Sequence, residues 1–263
     1  MDAQKPASAR RSRQEQIARY VLDRESATAN ELAEMTGVSL MTVHRDLEDL
    51  ARQGIVRKFR GGVSAQPSSV FESNIEFRLQ SRQAEKAAMA RVARRHVDAG
   101  MAIMLDDATS TLATARLLGD VSPLTVVTNY IGAIEVLRKM PDIRLIALGG
   151  EYSHTHDSFG GVGCIDAISQ LTVDVVFVST SAMTPEMTYH QEQEIVLTKR
   201  AMLRAAHKKV LLMDSQKIGR RALHQLCPLK DFDVLIVDAG VGAQQLEDMR
   251  AGGVNVEVAS LRE

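Results

Sequence analysis

No tryptophan occurs among the 263 residues, and aromatic residues make up 4% of the chain. That leaves little material for the stacking platforms that hold single-stranded nucleic acid. Cysteine is also scarce: Cys164 and Cys227 stand far apart with no CxxC spacing. Neither a disulfide framework nor a cysteine-built zinc site is available, and a reducing compartment is implied. No apolar run approaches the ~20 residues that span a bilayer. The opening "MDAQKPASARRSRQEQ" lacks the apolar stretch of a secretory signal, so a cytoplasmic location is expected. The formal net charge is -1, so any sign of a polyanionic partner has to be local. Neither G-x-x-x-x-G-K-[ST] nor G-x-G-x-x-G is present, which disfavours nucleotide hydrolysis and dinucleotide redox chemistry, and no cofactor is called for. Ser179, Thr180 and Ser181 follow an apolar run without a G-x-S-x-G elbow, so a hydrolase triad has no support.

What is present divides into two parts. Residues 10–65 predict three helices and a short hairpin. Residues 66–82 read as a linker around the small, polar "SAQPSSVFES", and 83–263 as an α/β domain. One long helix is predicted over 74–98. Beyond it, "MAIML", "LTVVT", "IRLIALGG", "VDVVFVS", "KVLLMD", "DVLIVD" and "VNVEV" alternate with helical patterns. Runs apolar throughout, rather than alternating, are strands buried on both faces. With helices between them, they predict a mostly parallel, doubly wound sheet.

Thr28-x-x-Glu31 is a capping-box pattern ahead of one short helix, and Ser39 is a good N-cap for the next. On the second helix, Leu40, Val43, Leu47, Leu50 and Ala51 fall within an arc of roughly 100°. Met41, Thr42, Arg45, Asp49 and Arg52 lie opposite, with His44 on the flank. Two helices joined by a short Gly-containing turn form a helix-turn-helix, whose second helix can enter a major groove. In "GIVRKFRGGV", Arg57, Lys58 and Arg60 then make a basic wing suited to phosphates. Asp46 beside phosphates would repel, so it should hold an intramolecular partner such as a nearby arginine or a backbone N–H.

In a doubly wound sheet, ligands bind beyond the carboxyl ends of the strands. The residues there are Asp106, Asp107, Thr109, Ser110 and Thr111 after the first run, then Asn129, Gly149 and Gly150 after the next two. Lys217 follows "KVLLMD". Hydroxyls opening a helix, glycines that allow close approach and a lysine together suit a small anionic polyol. The bland account of "DATST" is a well-capped helix. His154 and His156, next to the carboxylate of Asp157 and with His190 as a distant third ligand, are a conceivable metal site, but a polar loop is the simpler account, so no metal is assigned.

"ELAEMTGVSLMTVHRDLEDLARQGIVRKFRGGV" resembles the signature of DeoR-type bacterial transcription regulators, with its S-x-x-T-[IV]-[RH]-R-D-L recognition helix and Gly-Gly wing. His44 stands where the family usually has an arginine, and either lies beside the DNA backbone or packs. "MLDDATST", "IALGGEY" and "VLLMDSQKIG" are similar to the family's effector domain, related in fold to sugar-phosphate isomerases. Ala108 departs from the usual glycine of D-x-G-[TS]-T, a change that would narrow the loop. The resemblance implies double-stranded operator DNA, met by Ser39, Met41, Thr42 and Arg45 in the groove and Arg57, Lys58 and Arg60 on the backbone. It also implies a phosphorylated sugar or related effector, a repressor and an even-numbered homo-oligomer. A sugar-phosphate isomerase carrying a DNA-binding domain, and a module docking on an acidic protein, are the competing accounts.

Overall fold

Residues 4–24, 26–52, 55–65 and 75–261 are described in the computed structural model, which divides into two units, Met1–Phe77 and Arg78–Glu263. The first unit comprises α1 (Gln4–Arg24), β1 (Ser26–Thr28), α2 (Ala29–Thr36), α3 (Leu40–Arg52), β2 (Val56–Phe59) and β3 (Gly62–Ala65). The capping box forms: the Glu31 N–H donates to Thr28 Oγ1 at 3.2 Å, and the Thr28 N–H donates to Glu31 Oε2 at 2.7 Å. Gly37 closes α2 at φ 68°, a left-handed conformation that glycine adopts without strain. Val43, Leu47 and Leu50 bury the inner face of α3 against Ile17, Val21 and Leu32. Leu40 departs from the expected stripe; at the first position of α3 it is 43% exposed, beyond the reach of the core. The hairpin β2–β3 gains a third strand that the sequence did not signal, β1, which pairs antiparallel with β3.

α4 (Ile75–Gln80) carries the chain into the second unit, and α5 (Gln83–Arg94) follows. The single helix expected over 74–98 is therefore two helices ending at Arg94, and residues 66–74 of the segment read as a linker lie outside the described residues. The break falls at Arg82, a left-handed residue with φ 56°. Its guanidinium donates to Asp238 Oδ1 and Ser215 Oγ, both at 3.0 Å, and pairs with Glu85 at 3.2 Å. The carbonyls freed by the break accept from Lys86 Nζ, which donates to Arg78 O and, at 2.8 Å, to Ser81 O.

All seven apolar runs form strands of one sheet: β4 (Ala102–Leu105), β5 (Leu124–Thr128), β6 (Ile143–Ala147), β9 (Val173–Val178), β12 (Ala206–Met213), β14 (Val234–Asp238) and β15 (Val256–Ala259). The order is β15-β14-β12-β9-β4-β5-β6, and every pairing is parallel. From β4 the chain winds outward through β5 and β6, then returns to lay β9 on the other side of β4. The crevice between β4 and β9 is thus the topological switch point, where side chains at the carboxyl ends have room to meet a ligand. Two smaller elements were not visible in the sequence: the hairpin β7 (Glu151–Ser153)–β8 (Ser158–Gly160), and an antiparallel sheet of β10 (Ala182–Met183), β11 (Met187–His190) and β13 (His224–Pro228). Their strands are two to five residues long, too short for a periodic signal. Among the described residues, no helix is long and apolar enough to cross a membrane.

Candidate functional site

The first unit offers an outward face built by α3 and the wing. Met41 is 76% exposed, and Ser39, His44, Arg45, Arg57, Lys58 and Arg60 are exposed, while Thr42 is half-buried. Ser39 caps α3 by accepting from the Thr42 N–H at 3.3 Å, and the two hydroxyls lie 2.9 Å apart. Val56 and Val63 point into the core from the wing, so alternation turns Arg57 outward, and the Arg60-Gly61 turn carries a second arginine at the tip. Phe59, 50% exposed beside that tip, went unremarked in the sequence. Lys58 lies 3.6 Å from Glu48, an exposed pair of little strength. Asp46 turns inward as expected, buried and accepting from Arg13 Nε at 2.6 Å and Gln14 Nε2 at 3.1 Å. His44 is exposed, so it does not pack into the core.

In the second unit, the carboxyl ends of β5, β4, β9, β12 and β14 lie side by side and bring Asn129, Asp106, Asp107, Ser179 and Lys217 to one edge. Asp106 is fully buried and inward-bonded. It accepts from the Ser179 N–H at 2.8 Å across the switch point, from Thr111 Oγ1 at 2.9 Å, from the Ala108 N–H at 3.1 Å, and from Lys199 Nζ. Thr111 is likewise turned into this knot. Asp107 accepts from Lys199 Nζ at 2.7 Å and from Ser158 Oγ at 3.1 Å. Thr109 and Ser110 open the short helix α6 (Thr109–Ala115), both buried. Lys217 Nζ donates to Thr180 O at 3.2 Å. Ala108 sits at φ -90° and ψ 147°, extended backbone open to any residue, so its methyl imposes no strain on the loop.

The two glycines differ. Gly149 faces open space. At Gly150 a side chain would collide with the carbonyl of Gly160, so close packing within the chain accounts for this glycine. The hairpin β7–β8 also reaches Asn129, whose Nδ2 donates to Phe159 O at 2.7 Å. The side chain is buried, yet its Oδ1 has no hydrogen-bond partner among the described residues, and Gln191 Nε2 is in the same condition. Buried polar atoms are nearly always satisfied, so orphans on two residues beside this edge point to a missing partner.

Sequence reasoning missed Lys199, the side chain that completes the site. After α7 (Ile131–Leu137) and α8 (Gly161–Ser169), Lys199 lies on α9 (Gln193–Arg204) in line with Ile195 and Met202, at i+4 and i+7 of a buried stripe. A lysine on an apolar stripe was the available signal. His156, buried, places Nε2 at 2.8 Å from Glu192 Oε1, and its Nδ1 faces Arg78 Nη2 at 3.4 Å; one tautomer, with the proton on Nε2, satisfies both. His190 Nδ1 accepts from the Glu192 N–H at 3.1 Å, and the two imidazoles lie 6.1 Å apart. His154 instead stacks edge-on against the exposed Tyr152. Among the described residues, no three His, Cys, Asp or Glu side chains are grouped to hold a metal ion.

Charge in this cluster follows from burial and pairing. Burial opposes ionisation of Asp107, but the Lys199 ammonium outweighs it and holds the carboxyl well below its ordinary range. Burial raises Asp106, with the charge of Asp107 adding to it against Lys199. Burial pushes His190 well below the ordinary imidazole value, and the nearby Lys199 charge pushes in the same direction. The hydrogen bond from His156 lowers Glu192.

Residues 81–239 match the family model of the DeoR C terminal sensor domain, and residues 13–69 that of the DeoR-like helix-turn-helix domain. An uncharacterized HTH-type transcriptional regulator, YgbI, of Escherichia coli strain K12 is 31% identical over 229 residues, covering 87% of this chain and 90% of that protein. The glycerol-3-phosphate regulon repressor of the same strain is 30% identical over 217 residues, covering 81% and 84%. Among solved structures, ribose 5 phosphate isomerase A from Neisseria gonorrhoeae is 16% identical at a TM-score of 0.38, covering 52% of this chain and 53% of that one.

Proposed function

The chain belongs to the DeoR family of transcription regulators, and from that premise we propose that it is a repressor whose hold on operator DNA is controlled by a phosphorylated sugar or a related metabolite. The first unit docks α3 in the major groove. Arg45, Met41 and Thr42, with Ser39 at the helix start, face base edges, and His44 flanks them. Arg57, Lys58 and Arg60 lie along the phosphates. An even-numbered homo-oligomer places two such helices on half-sites about one helical turn apart or a multiple of it.

The observation that carries the small-molecule half is the buried, unpartnered Oδ1 of Asn129 beside the Asp107–Lys199 pair. A sugar hydroxyl supplies the donor that Oδ1 lacks, and an acceptor on the same molecule suits Gln191 Nε2. Lys217, with Thr109 and Ser110, supplies cationic and hydroxyl groups for the phosphate, and Gly149 leaves the rim open. Asp106 and Thr111 act indirectly, fixing the loop that presents Asp107. The name of the glycerol-3-phosphate repressor lends this ligand class further support.

The reading is of binding without turnover. A thermal-shift panel of ribose 5-phosphate, glucosamine 6-phosphate and glycerol 3-phosphate tests it, followed by NMR of the binders after overnight incubation. At least one should raise the melting temperature and remain unconverted. An isomerised product would make the chain an enzyme, and a flat panel would remove this ligand class.

A further inference from the structure

We propose that Arg78 is an oxyanion-binding residue of the sensor site, and that the strap from Arg78 to Arg82 reports occupancy of that site to the chain that leads into the DNA-binding unit. The proposal rests on the location given above for the site, though not on the ligand's being a sugar.

Arg78 is the first residue of the second unit. Its guanidinium is poorly matched for a cation held at a buried cluster. Among the described residues, Nη2 meets only the lone pair of His156 Nδ1, at 3.4 Å, and Nε is buried with no hydrogen-bond partner. A guanidinium offers a planar fork of donors that fits two oxygens of a phosphate or carboxylate. An oxyanion arriving among Asn129, His156 and Lys217 gives that fork what the imidazole does not. Asp107 and Glu192 are charged neighbours on the same side, but Asp107 is already engaged by Lys199 and Ser158, and Glu192 by His156.

The backbone of the strap is built to transmit such a change. Lys86 Nζ grips both Arg78 O and Ser81 O, so the strap is held at each end from a single ammonium. Arg82, in its left-handed conformation, is tied to Asp238 and Ser215. Ser215 begins the 3-10 turn Ser215–Lys217 that presents Lys217 to the site. Both arginines therefore connect to groups at the carboxyl edge, one through His156 and the other through the turn that carries Lys217. When Arg78 turns to an anion, it draws on a strap whose other anchor adjoins the same site, and the covalent chain carries the shift toward the first unit.

Inorganic phosphate, compared with chloride at equal ionic strength, is the probe, applied to the full-length protein. Two readouts are followed: the Cε1 proton shift of His156 by NMR, and hydrogen exchange at amides 79–86. Phosphate should shift His156 saturably and alter exchange in the strap. Arg78→Gln should weaken phosphate by about tenfold or more and silence the exchange change. Arg78→Lys should recover part of both, since a point charge replaces the fork. It also decides the matter if Arg78→Gln does not fold, because wild-type affinity in Arg78→Lys contradicts a fork at this position. No saturable shift in the wild type, wild-type affinity in a folded Arg78→Gln, or binding without a change in strap exchange each overturns the proposal. If phosphate engages Arg78 but no sugar phosphate alters operator binding, only the effector class proposed above falls.

Discussion

Lys199 Nζ donates to Asp107 Oδ1 at 2.7 Å, with both side chains withdrawn from solvent. The same ammonium serves Asp106, so one cation on α9 compensates two carboxylates at the end of β4. Removing one partner of a buried ion pair is far more damaging than never having had the pair, because the remaining charge stays desolvated.

Lys199→Met should therefore destabilise the second unit by about 3–5 kcal/mol, read from urea unfolding at neutral pH. Adding Asp107→Asn should recover part of the loss. Wild-type stability in Lys199→Met would mean the carboxylates are not ionised together.

The same pair sets an acid limit. Asp107 has a folded value below its unfolded one, so its contribution is present above the unfolded value, about 4, and is lost as pH falls below it. Burial raises Asp106 and so works in the opposite direction as pH rises. Asp107→Asn should flatten the acid side of the stability curve measured by urea midpoints, and a curve with unchanged slope would remove Asp107 as its source.

His190 contributes on a different scale. Its folded value is depressed, so the stability it supports is present above the unfolded value, about 6.5, and declines as pH falls through that point. Burial opposes its protonation most, the Lys199 and Arg78 charges add to that, and Asp107 favours it. NMR should find the His190 ring unprotonated at pH 6, and His190→Gln should lessen the stability lost between neutral pH and pH 5. A ring that titrates in the ordinary range would contradict the burial of this side chain.

On the DNA side, Arg45→Ala should lower sequence preference more than bulk affinity, whereas Lys58→Ala should weaken all duplexes alike and make the salt dependence shallower. Anisotropy against a preferred and a scrambled duplex separates the two, and equal loss of preference from both changes would mean that groove and backbone contacts are misassigned. Asp46→Ala acts elsewhere. By freeing Arg10, Arg13 and Gln14 from α3 it should lower the stability of the first unit by about 1.5–3 kcal/mol, with DNA preference intact where the unit remains folded.

Much of this molecule could be read from its sequence because its elements are periodic or capped. The seven buried strands announce themselves as unbroken apolar runs, and Thr28 with Glu31 marks the start of α2. What could not be read depends on contacts distant in sequence. Arg82 breaks the long helix through Asp238, 156 positions along, and nothing local to the helix warns of it. Lys199 reaches Asp106 from 93 residues away. Its place on a buried stripe was visible, but its partner was not. His156 looked like one of a pair with His154, and only the hairpin's turn separates them, one inward and one against Tyr152.

The central claim, that occupancy of the sensor edge controls DNA binding, is tested most directly by fluorescence anisotropy of the full-length protein on a duplex selected from a random pool, with and without each sugar phosphate at fixed salt. At least one sugar phosphate should weaken binding to the selected duplex. Lys217→Ala should bind that duplex as the wild type does and no longer respond. A DNA affinity that no phosphorylated compound changes, or a response that survives intact in Lys217→Ala, would contradict the account.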